Sequence, residues 1–402
     1  MKKLTKSYLF LLFAVYCMGF AGCSGESDPE VGLPHGVKYE MLKKYSLSEL
    51  KFMEAVSGLN LIDEDVTYKE IHIYKVSVES DHPGKAAEKV NLSGLLIVPP
   101  REAGREYRQV VVPMYTYVLD DEAPTLHVKN GSPDFHTLFW LMVAFNHGYA
   151  VMIPDYPGHG DSFGQCYIPY MDKTEMVRTT LDYVNASRAV LAKKQYGQKG
   201  GFILSGYSLG AFVAVQVARE LETNDAYKEL PVDLLFTGGT PCDLLRQAEL
   251  IRADDEFSSS YLYPLLLLGY KENNYPHLNM SDYLKEPYAS EAINYLDGSP
   301  KDYGNYFPKN PQELFTENFL NNTGQGVINE ILEENSVKTW ENRCKFIMFH
   351  SPDDEITYYD QAAAFVQEQQ QHGEVTLIDG ENTHTAAALL YFSQLNDELA
   401  GW

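Results

Sequence analysis

The sequence is short of positive charge. Its 402 residues include 32 Lys and Arg against 56 Asp and Glu, which gives a formal net charge of -24. A protein that binds nucleic acid needs Lys and Arg side chains to neutralise phosphates. No block of basic residues follows the first few positions. The charge balance therefore predicts no nucleic-acid partner.

Cysteine is also scarce, with five residues in the chain. Two of them, Cys17 and Cys23, lie near the N-terminus, which leaves Cys166, Cys242 and Cys344. An odd number leaves at least one thiol free, and the spacing matches no metal-binding motif. The sequence leaves open whether a disulfide forms.

The N-terminus lacks an apolar run long enough for a mature membrane helix. The run from Tyr8 to Phe20 is too short to span a bilayer comfortably, and it stands between a basic start and small residues. Residues 1–22 are therefore predicted to be a secretion signal. The stretch "FAGC" resembles a bacterial lipobox, although Phe20 stands where Leu is more usual. That resemblance implies cleavage before Cys23 and a lipid on its thiol; the alternative is a plain signal cleaved elsewhere.

A lipid on Cys23 would tie an exported protein to a bacterial membrane. The stretch "SGESDPEVGLPHG" that follows contains small, acidic and helix-breaking residues, which is typical of a flexible tether. Its acidic residues are compatible with the outer membrane or the cell surface. We therefore expect a membrane partner through this anchor.

From residue 70 onward the sequence predicts strands and helices in alternation. Two alternating polar and apolar stretches, 70–80 and 90–99, predict antiparallel strands at one edge of a sheet. Buried-type strands are then predicted at 109–117, 149–158, 200–206, 232–239, 344–350 and 374–380, with helices at 134–148, 174–197, 210–222, 359–373 and 383–395. This order predicts an α/β fold with a mostly parallel sheet flanked by helices.

The alternation is interrupted between Cys242 and residue 341, where Tyr, Asn, Leu and Pro are frequent and only helical patches appear. We interpret 243–340 as a helical cap inserted between two strands, with "YLYPLLLLGY" as its most apolar candidate lining. An independent linked domain is less favoured because sheet elements follow directly. The predicted organisation is a signal peptide (1–22), a tether and N-terminal segment (23–67), a first core part (68–242), the cap (243–340) and a second core part (341–402).

The stretch Gly206-Tyr207-Ser208-Leu209-Gly210 matches the pattern G-x-S-x-G between a predicted strand and a predicted helix. In so tight a turn, side chains at the two flanking positions would collide, and the serine takes a strained backbone conformation. The pattern is weak alone, but its strand-to-helix context strengthens it. It predicts Ser208 as a nucleophile, and the alternative is an ordinary turn with a buried serine.

A serine nucleophile needs a histidine base, which in turn needs an orienting acid. The ends of two later strands supply an acid and then a histidine, which is the expected order along the chain. "FIMFHSPDDEIT" offers Asp354, with Asp353 as the rival and Glu355 as a distant third, and "VTLIDGENTHT" offers His384. The alternative for His384 is a helix-capping or surface histidine, and His350 is interpreted as structural.

The developing negative charge in such a reaction needs backbone N–H donors. One should be the N–H of Leu209. The second is placed near Thr116, in the loop "MYTYVLDDEAPT", which lacks the usual His-Gly pair. Asp120 in that loop either shapes this oxyanion hole or is an exposed acid.

Together these features resemble the α/β-hydrolase superfamily from about residue 68 to the C-terminus. The resemblance is carried by "GYSLG", by "VMIPDYPGHGDS" and by the Asp354 and His384 pair. "PDYPGHGDS" is similar to a turn that buttresses the pocket in many esterases and lipases, where His159 would be structural. More narrowly, the chain resembles the secreted lipase and esterase branch that includes fungal lipase A, from which the missing His-Gly departs.

The resemblance implies a serine esterase or lipase that works through an acyl-enzyme, on a small-molecule ester such as an acyl lipid or an acylated sugar. It implies no metal and no organic cofactor. Two alternatives stay open. One is a serine peptidase of the same fold, although the segment before the first predicted strand is too short for an N-terminal propeller. The other is a catalytically silent surface binding protein.

Overall fold

The computed structural model describes residues 32–64, 66–321 and 327–402. The predicted signal peptide, Cys23 and most of the predicted tether lie outside these residues.

The described residues form one sheet of nine strands. The strands are β1 (Lys38–Ser46), β2 (Glu70–His82), β3 (Lys85–Val98), β4 (Glu106–Val111), β5 (Ala150–Pro154), β6 (Gly197–Tyr207), β7 (Val232–Gly238), β8 (Lys345–His350) and β9 (Val375–Asp379). They lie in the order β1-β2-β3-β5-β4-β6-β7-β8-β9. The pairs from β1 to β5 along this order are antiparallel, and all the others are parallel.

Helices connect and cover the strands. They are α1 (Leu47–Ser57), α2 (Pro124–Lys129), α3 (Phe135–His147), α4 (Lys173–Lys193), α5 (Leu209–Thr223), α6 (Leu244–Ala253), α7 (Leu262–Glu272), α8 (Tyr288–Tyr295), α9 (Tyr303–Tyr306), α10 (Pro311–Leu314), α11 (Glu317–Leu320), α12 (Val327–Asn335), α13 (Tyr359–Gln369) and α14 (His384–Leu399). Within the part of the chain that the structure describes, no helix is long and apolar enough to cross a membrane.

The centre of the sheet is apolar on both faces, as a parallel sheet covered by helices requires. Every residue of β5 is buried. The helix α3 begins after Asp134, whose side chain accepts a hydrogen bond from the N–H of Thr137. It ends at Gly148, which takes the left-handed conformation with φ 73°. These two caps fix the bounds that the sequence predicts, and the predicted fold class is confirmed.

The N-terminal segment is more structured than the sequence suggests. Residues 38–57 of the predicted tether and N-terminal segment form β1 and α1, so the strand predicted at 70–80 is the second in the sheet. The sequence of β1, "KYEMLKKYS", carries three lysines, and most of its residues are not buried. Lysines of this kind protect the open edge of a sheet, and they also hide the apolar alternation that would reveal a strand.

Several predicted boundaries are wrong by a few residues, and they include the end of one helix and the end of one strand. The helix α4 ends at Lys193, and Gln195 takes the left-handed conformation, with φ 60°. Gly197, predicted to stop this helix, instead begins β6. The strand predicted at 109–117 ends at Val111, where the chain leaves the sheet to form a loop.

The insertion lies between β7 and β8. Its described residues, 243–321 and 327–340, carry the seven helices α6 to α12 and no strand. The element order is therefore that of a helical insertion between two neighbouring parallel strands. Its function as a cap stays a prediction.

Candidate active site

Ser208 lies at the turn between the end of β6 and the start of α5. Its backbone has φ 57° and ψ -122°, a conformation that costs a residue other than glycine about 1–3 kcal/mol. The turn is held from both sides. The N–H of Ser208 donates to the carbonyl of Gly238 on β7 at 2.8 Å, and its carbonyl accepts from the N–H of Phe212 in α5 at 3.1 Å. The side chain is thus presented at the parallel strands' carboxyl edge.

The two glycines of the motif stand where no side chain fits. A Cβ atom on Gly206 would lie 2.3 Å from the carbonyl carbon of Gly210. A Cβ atom on Gly210 would lie 2.2 Å from the carbonyl oxygen of Pro113. Both neighbours are backbone atoms, so neither can move aside as a flexible side chain would. The close approach at Gly210 also brings the loop after β4 against the start of α5.

His384 and Asp354 form a buried pair at the same edge of the sheet. The Nδ1 atom of His384 lies 2.7 Å from Oδ2 of Asp354, and both residues are buried. His384 begins α14, and its backbone N–H donates to Oε2 of Glu355 at 2.9 Å. The hydroxyl of Tyr207 donates to the His384 carbonyl at 2.6 Å. These contacts fix the histidine through both its ring and its backbone.

Asp354 accepts several hydrogen bonds from its own loop. The N–H groups of Ile356 and Thr357 donate to Oδ1 at 3.0 and 2.8 Å, and the Thr357 hydroxyl donates to Oδ2 at 2.9 Å. Burial opposes ionisation, but the hydrogen bond from His384, the charges of the nearby histidines and the loop N–H outweigh it, so the pKa of Asp354 lies well below its usual range. Asp354 is therefore a carboxylate at neutral pH.

The three candidate acids, Asp353, Asp354 and Glu355, differ in their contacts with His384. Asp353 is exposed, and its backbone N–H donates to the Ser351 hydroxyl. Glu355 contacts the backbone of His384 and not its ring. Asp354 is the candidate whose carboxylate meets the imidazole.

A second histidine lies against the same carboxylate. The Nε2 atom of His350 is 3.5 Å from Oδ2 of Asp354 and 3.4 Å from the Thr357 hydroxyl. His350 is fully buried, and this burial lowers its pKa to about 4, so the ring is neutral at neutral pH. These contacts agree with the predicted structural role, in which His350 packs against Asp354.

The loop after β4 carries the predicted second oxyanion donor. The hydroxyl of Thr116 lies 2.9 Å from the hydroxyl of Tyr170, which lines a cavity shared with Ser208. The loop is also fixed by Tyr156, whose hydroxyl donates to the carbonyl of Met114. The other predicted donor, the N–H of Leu209, belongs to the first turn of α5, where backbone N–H groups lack partners within the helix.

Asp120 and His159 hold this loop and the turn after β5 together. Asp120 accepts from the N–H of Gly160 at 2.8 Å, and its own N–H donates to the carbonyl of Gly298 at the same distance. It is half-buried, so it is not a freely exposed loop acid. His159 is buried, and its Nε2 atom lies 3.0 Å from the Val118 carbonyl. Burial lowers its pKa to about 4, and a neutral, hydrogen-bonded ring agrees with a structural role.

A small cavity opens beside Ser208, with a volume of ≈ 50 Å³. Its wall combines Tyr170 and Ile356 of the core with side chains from three helices of the insertion, α6, α7 and α12. The predicted lining stretch "YLYPLLLLGY" contributes Leu262, Tyr263 and Leu266. The insertion thus shares a cavity with the candidate nucleophile.

Two residues of this site are not among those that the sequence predicts. Thr357 bonds the Asp354 carboxylate and lies 3.3 Å from Nδ1 of His384. Its spacing, three residues after an aspartate in a loop, is a weak local signal for such a contact. Tyr170 had no sequence signal at all. Among residues 32–64, 66–321 and 327–402, no group of three His, Cys, Asp or Glu side chains could hold a metal ion.

Comparisons with known proteins place this architecture in a known class. Residues 126–316 match the model of a family described as the alpha/beta hydrolase family. Together with the topology of the sheet, this match shows that the chain has the α/β-hydrolase fold, and it confirms the resemblance to that superfamily. A search of curated protein sequences finds no significant match.

Solved structures agree with this class. A Legionella pneumophila protein described as a hydrolase aligns with 90% of this chain and 97% of its own, with TM-score 0.80 and 17% identity. The rice cell wall degrading esterase LipA from Xanthomonas oryzae aligns with 92% of this chain and 97% of its own, with TM-score 0.73 and 18% identity. Candida antarctica lipase A aligns over 81% and 78%, with TM-score 0.60 and 16% identity. At this level the comparisons support a hydrolase.

Proposed function

We propose that this protein is a serine esterase that cleaves carboxylic esters through an acyl-enzyme intermediate. The observation that carries the proposal is the strained turn at Ser208 beside an apolar cavity. At the same edge of the sheet lies a buried histidine, whose ring contacts Tyr207 and is held by a carboxylate at 2.7 Å. A hydroxyl on such a turn becomes a nucleophile only when a positioned base removes its proton. Two of the similar structures are an esterase and a lipase, which favours esters over other substrates.

In the proposed reaction, Oγ of Ser208 attacks the ester carbonyl carbon while its proton passes to Nε2 of His384. The carbonyl oxygen gains the negative charge and accepts hydrogen bonds from the Leu209 N–H and from a second donor near Thr116. When the intermediate collapses, His384 returns the proton to the leaving alcohol, and the acyl group stays on Ser208. A water molecule then repeats the sequence and releases the acid.

Asp354 would hold the imidazole in the tautomer that carries its proton on Nδ1. That tautomer leaves Nε2 free to accept the proton of Ser208, and the carboxylate stabilises the imidazolium once it forms. The low pKa of Asp354 suits this role because the acid must stay ionised through the cycle. Ile356 and Thr357 would keep the carboxylate in place.

The test is hydrolysis of p-nitrophenyl acetate together with covalent labelling by a fluorophosphonate. We expect turnover, and we expect the label on the peptide that contains Ser208. Hydrolysis of the p-nitroanilide of a peptide at a higher rate than the ester would favour the peptidase alternative. An absence of both labelling and turnover would favour the alternative of a catalytically silent binding protein.

We also propose that the chain is exported and carries a lipid on Cys23, which would tie it to a bacterial membrane. The support is the sequence "FAGC" after a basic and then apolar start. Replacing Cys23→Ser should move the protein from the detergent phase to the aqueous phase in a Triton X-114 partition. A variant that partitions like the wild type would contradict the anchor.

A further inference from the structure

The cavity beside Ser208 is small enough to limit what can enter it. Its volume is ≈ 50 Å³. An apolar protein cavity of about 150 Å³ accommodates one benzene molecule, or roughly 25 Å³ for each carbon. On that scale this cavity holds about two carbons.

Most of the cavity wall is apolar, and its helical side is buried. No charged residue is among the described residues that line it. Its helical side includes Ile251 of α6, Leu266 of α7 and Leu332 of α12, and all three are buried. Two of its polar side chains already use their polar atoms elsewhere. Tyr170 bonds Thr116, and Thr357 bonds Asp354. Gln247 and Tyr263 also line the cavity, and the Gln247 Oε1 atom and the Tyr263 hydroxyl are buried without a hydrogen-bond partner among the described residues. The cavity therefore favours an uncharged group that is mostly hydrocarbon.

The position of His384 indicates whether this cavity receives the acyl group or the alcohol of the ester. The leaving alcohol must lie against His384, because that residue returns the proton to it. His384 is not among the residues that line the cavity. The cavity is therefore on the side of Ser208 that the acyl group occupies.

We propose that this cavity is the acyl pocket of the enzyme and that it selects short acyl groups, from acetyl to butyryl. This inference rests on the proposed function and goes beyond it, because it names the acyl class. The carbonyl carbon would lie at Ser208, with about two further carbons in the cavity. A longer chain would have to displace packed side chains of the insertion, and overpacking of this kind is costly.

The first experiment measures kcat/KM for p-nitrophenyl acetate, propionate, butyrate, hexanoate and octanoate, each below its micellar concentration. We expect a maximum at propionate or butyrate and a fall of roughly tenfold or more by octanoate. A wild-type enzyme that hydrolyses octanoate or longer esters as well as butyrate, in a reaction that needs Ser208, would overturn the short-acyl pocket and leave the proposed function intact. Failure to hydrolyse any ester would remove the proposed function itself, and the acyl pocket with it.

The second experiment enlarges the pocket. Leu266→Ala removes three carbons from the wall, so the ratio of hexanoate to butyrate kcat/KM should rise by about tenfold. Leu267→Ala is the matched control, because Leu267 is the next residue of α7 and is fully buried but does not line the cavity. Both variants lose a comparable core leucine, so only a change in the ratio reports on the pocket.

Two results of the second experiment would count against the assignment. An equal rise in the ratio for Leu267→Ala would mean that general loosening of the insertion, and not the size of the pocket wall, determines which acyl chain length the enzyme accepts. An unchanged ratio in Leu266→Ala would mean that the acyl group lies elsewhere. If Leu266→Ala does not fold, Ile251→Val removes one carbon from another helix of the same wall, and the ratio should rise by a smaller factor, about threefold.

Discussion

Replacing Ser208→Ala is expected to lower kcat/KM for p-nitrophenyl acetate by about 10⁴-fold or more. The variant lacks the atom that forms the acyl bond, so what remains is the rate enhancement from substrate binding and from the oxyanion donors. The fold should survive, because the N–H and carbonyl of residue 208 make their hydrogen bonds to Gly238 and Phe212 through the backbone. The measurement is the steady-state rate of the variant beside its thermal unfolding midpoint.

The matched control is Ser205→Ala. Ser205 lies three residues earlier in β6 and is fully buried, and its hydroxyl bonds the carbonyl of Phe236 and the hydroxyl of Tyr391. Its loss should cost stability, about 1–3 kcal/mol, while turnover stays within about tenfold of the wild type. If Ser208→Ala retained the activity of Ser205→Ala, the nucleophile would lie elsewhere.

A second substitution at position 208 separates backbone strain from chemistry. Glycine adopts positive φ without the penalty that other residues pay. Ser208→Gly should therefore be as inactive as the alanine variant yet more stable than it, by about 1 kcal/mol. Equal stability of the two variants would mean that the turn stores no strain at φ 57°.

The sequence predicts the sheet where its strands are buried, because short continuous apolar runs between helices are typical of parallel strands covered on both faces. It does not predict β1, since an edge strand that carries Lys43 and Lys44 does not show the alternation of a half-buried strand. It also places the end of α4 too late. The chain leaves the helix through Gln195 in the left-handed conformation, and glutamine gives no signal for that.

The candidate site also contains some residues that the sequence predicts and others that it does not. The motif around Ser208 is local, so the glycines, the strand before it and the helix after it can be predicted together. His384 and Asp354 can be proposed from their order along the chain. Tyr170 cannot, because its contact with Thr116 joins residues 54 positions apart and depends on how two loops pack. The size of the cavity depends on the packing of the insertion, which composition does not encode.

Replacing Asp354→Asn is expected to lower kcat/KM by about 10⁴-fold. An amide can donate to Nδ1 of His384, which favours the tautomer that carries its proton on Nε2, and that nitrogen could no longer accept the proton of Ser208. Asp353→Asn is the matched control, since it makes the same change of charge one residue away on an exposed side chain. Its rate should stay within about twofold of the wild type. Comparable losses in the two variants would show that net charge, and not the contact with His384, is responsible.

The same pair of variants yields a prediction for pH. Because the pKa of Asp354 lies well below its usual range in the folded protein, the unfolded chain binds its proton first as pH falls. The stability that the carboxylate contributes is therefore fully present above the unfolded value of about 4 and is lost only as pH falls further. Urea unfolding of the wild type and of Asp354→Asn should show a free-energy difference that shrinks as pH falls below about 4. A difference that grows as pH falls below about 4 would mean that burial, which disfavours the charged form, outweighs the hydrogen bonds from His384 and the loop, and Asp354 could not serve as the ionised partner of the base.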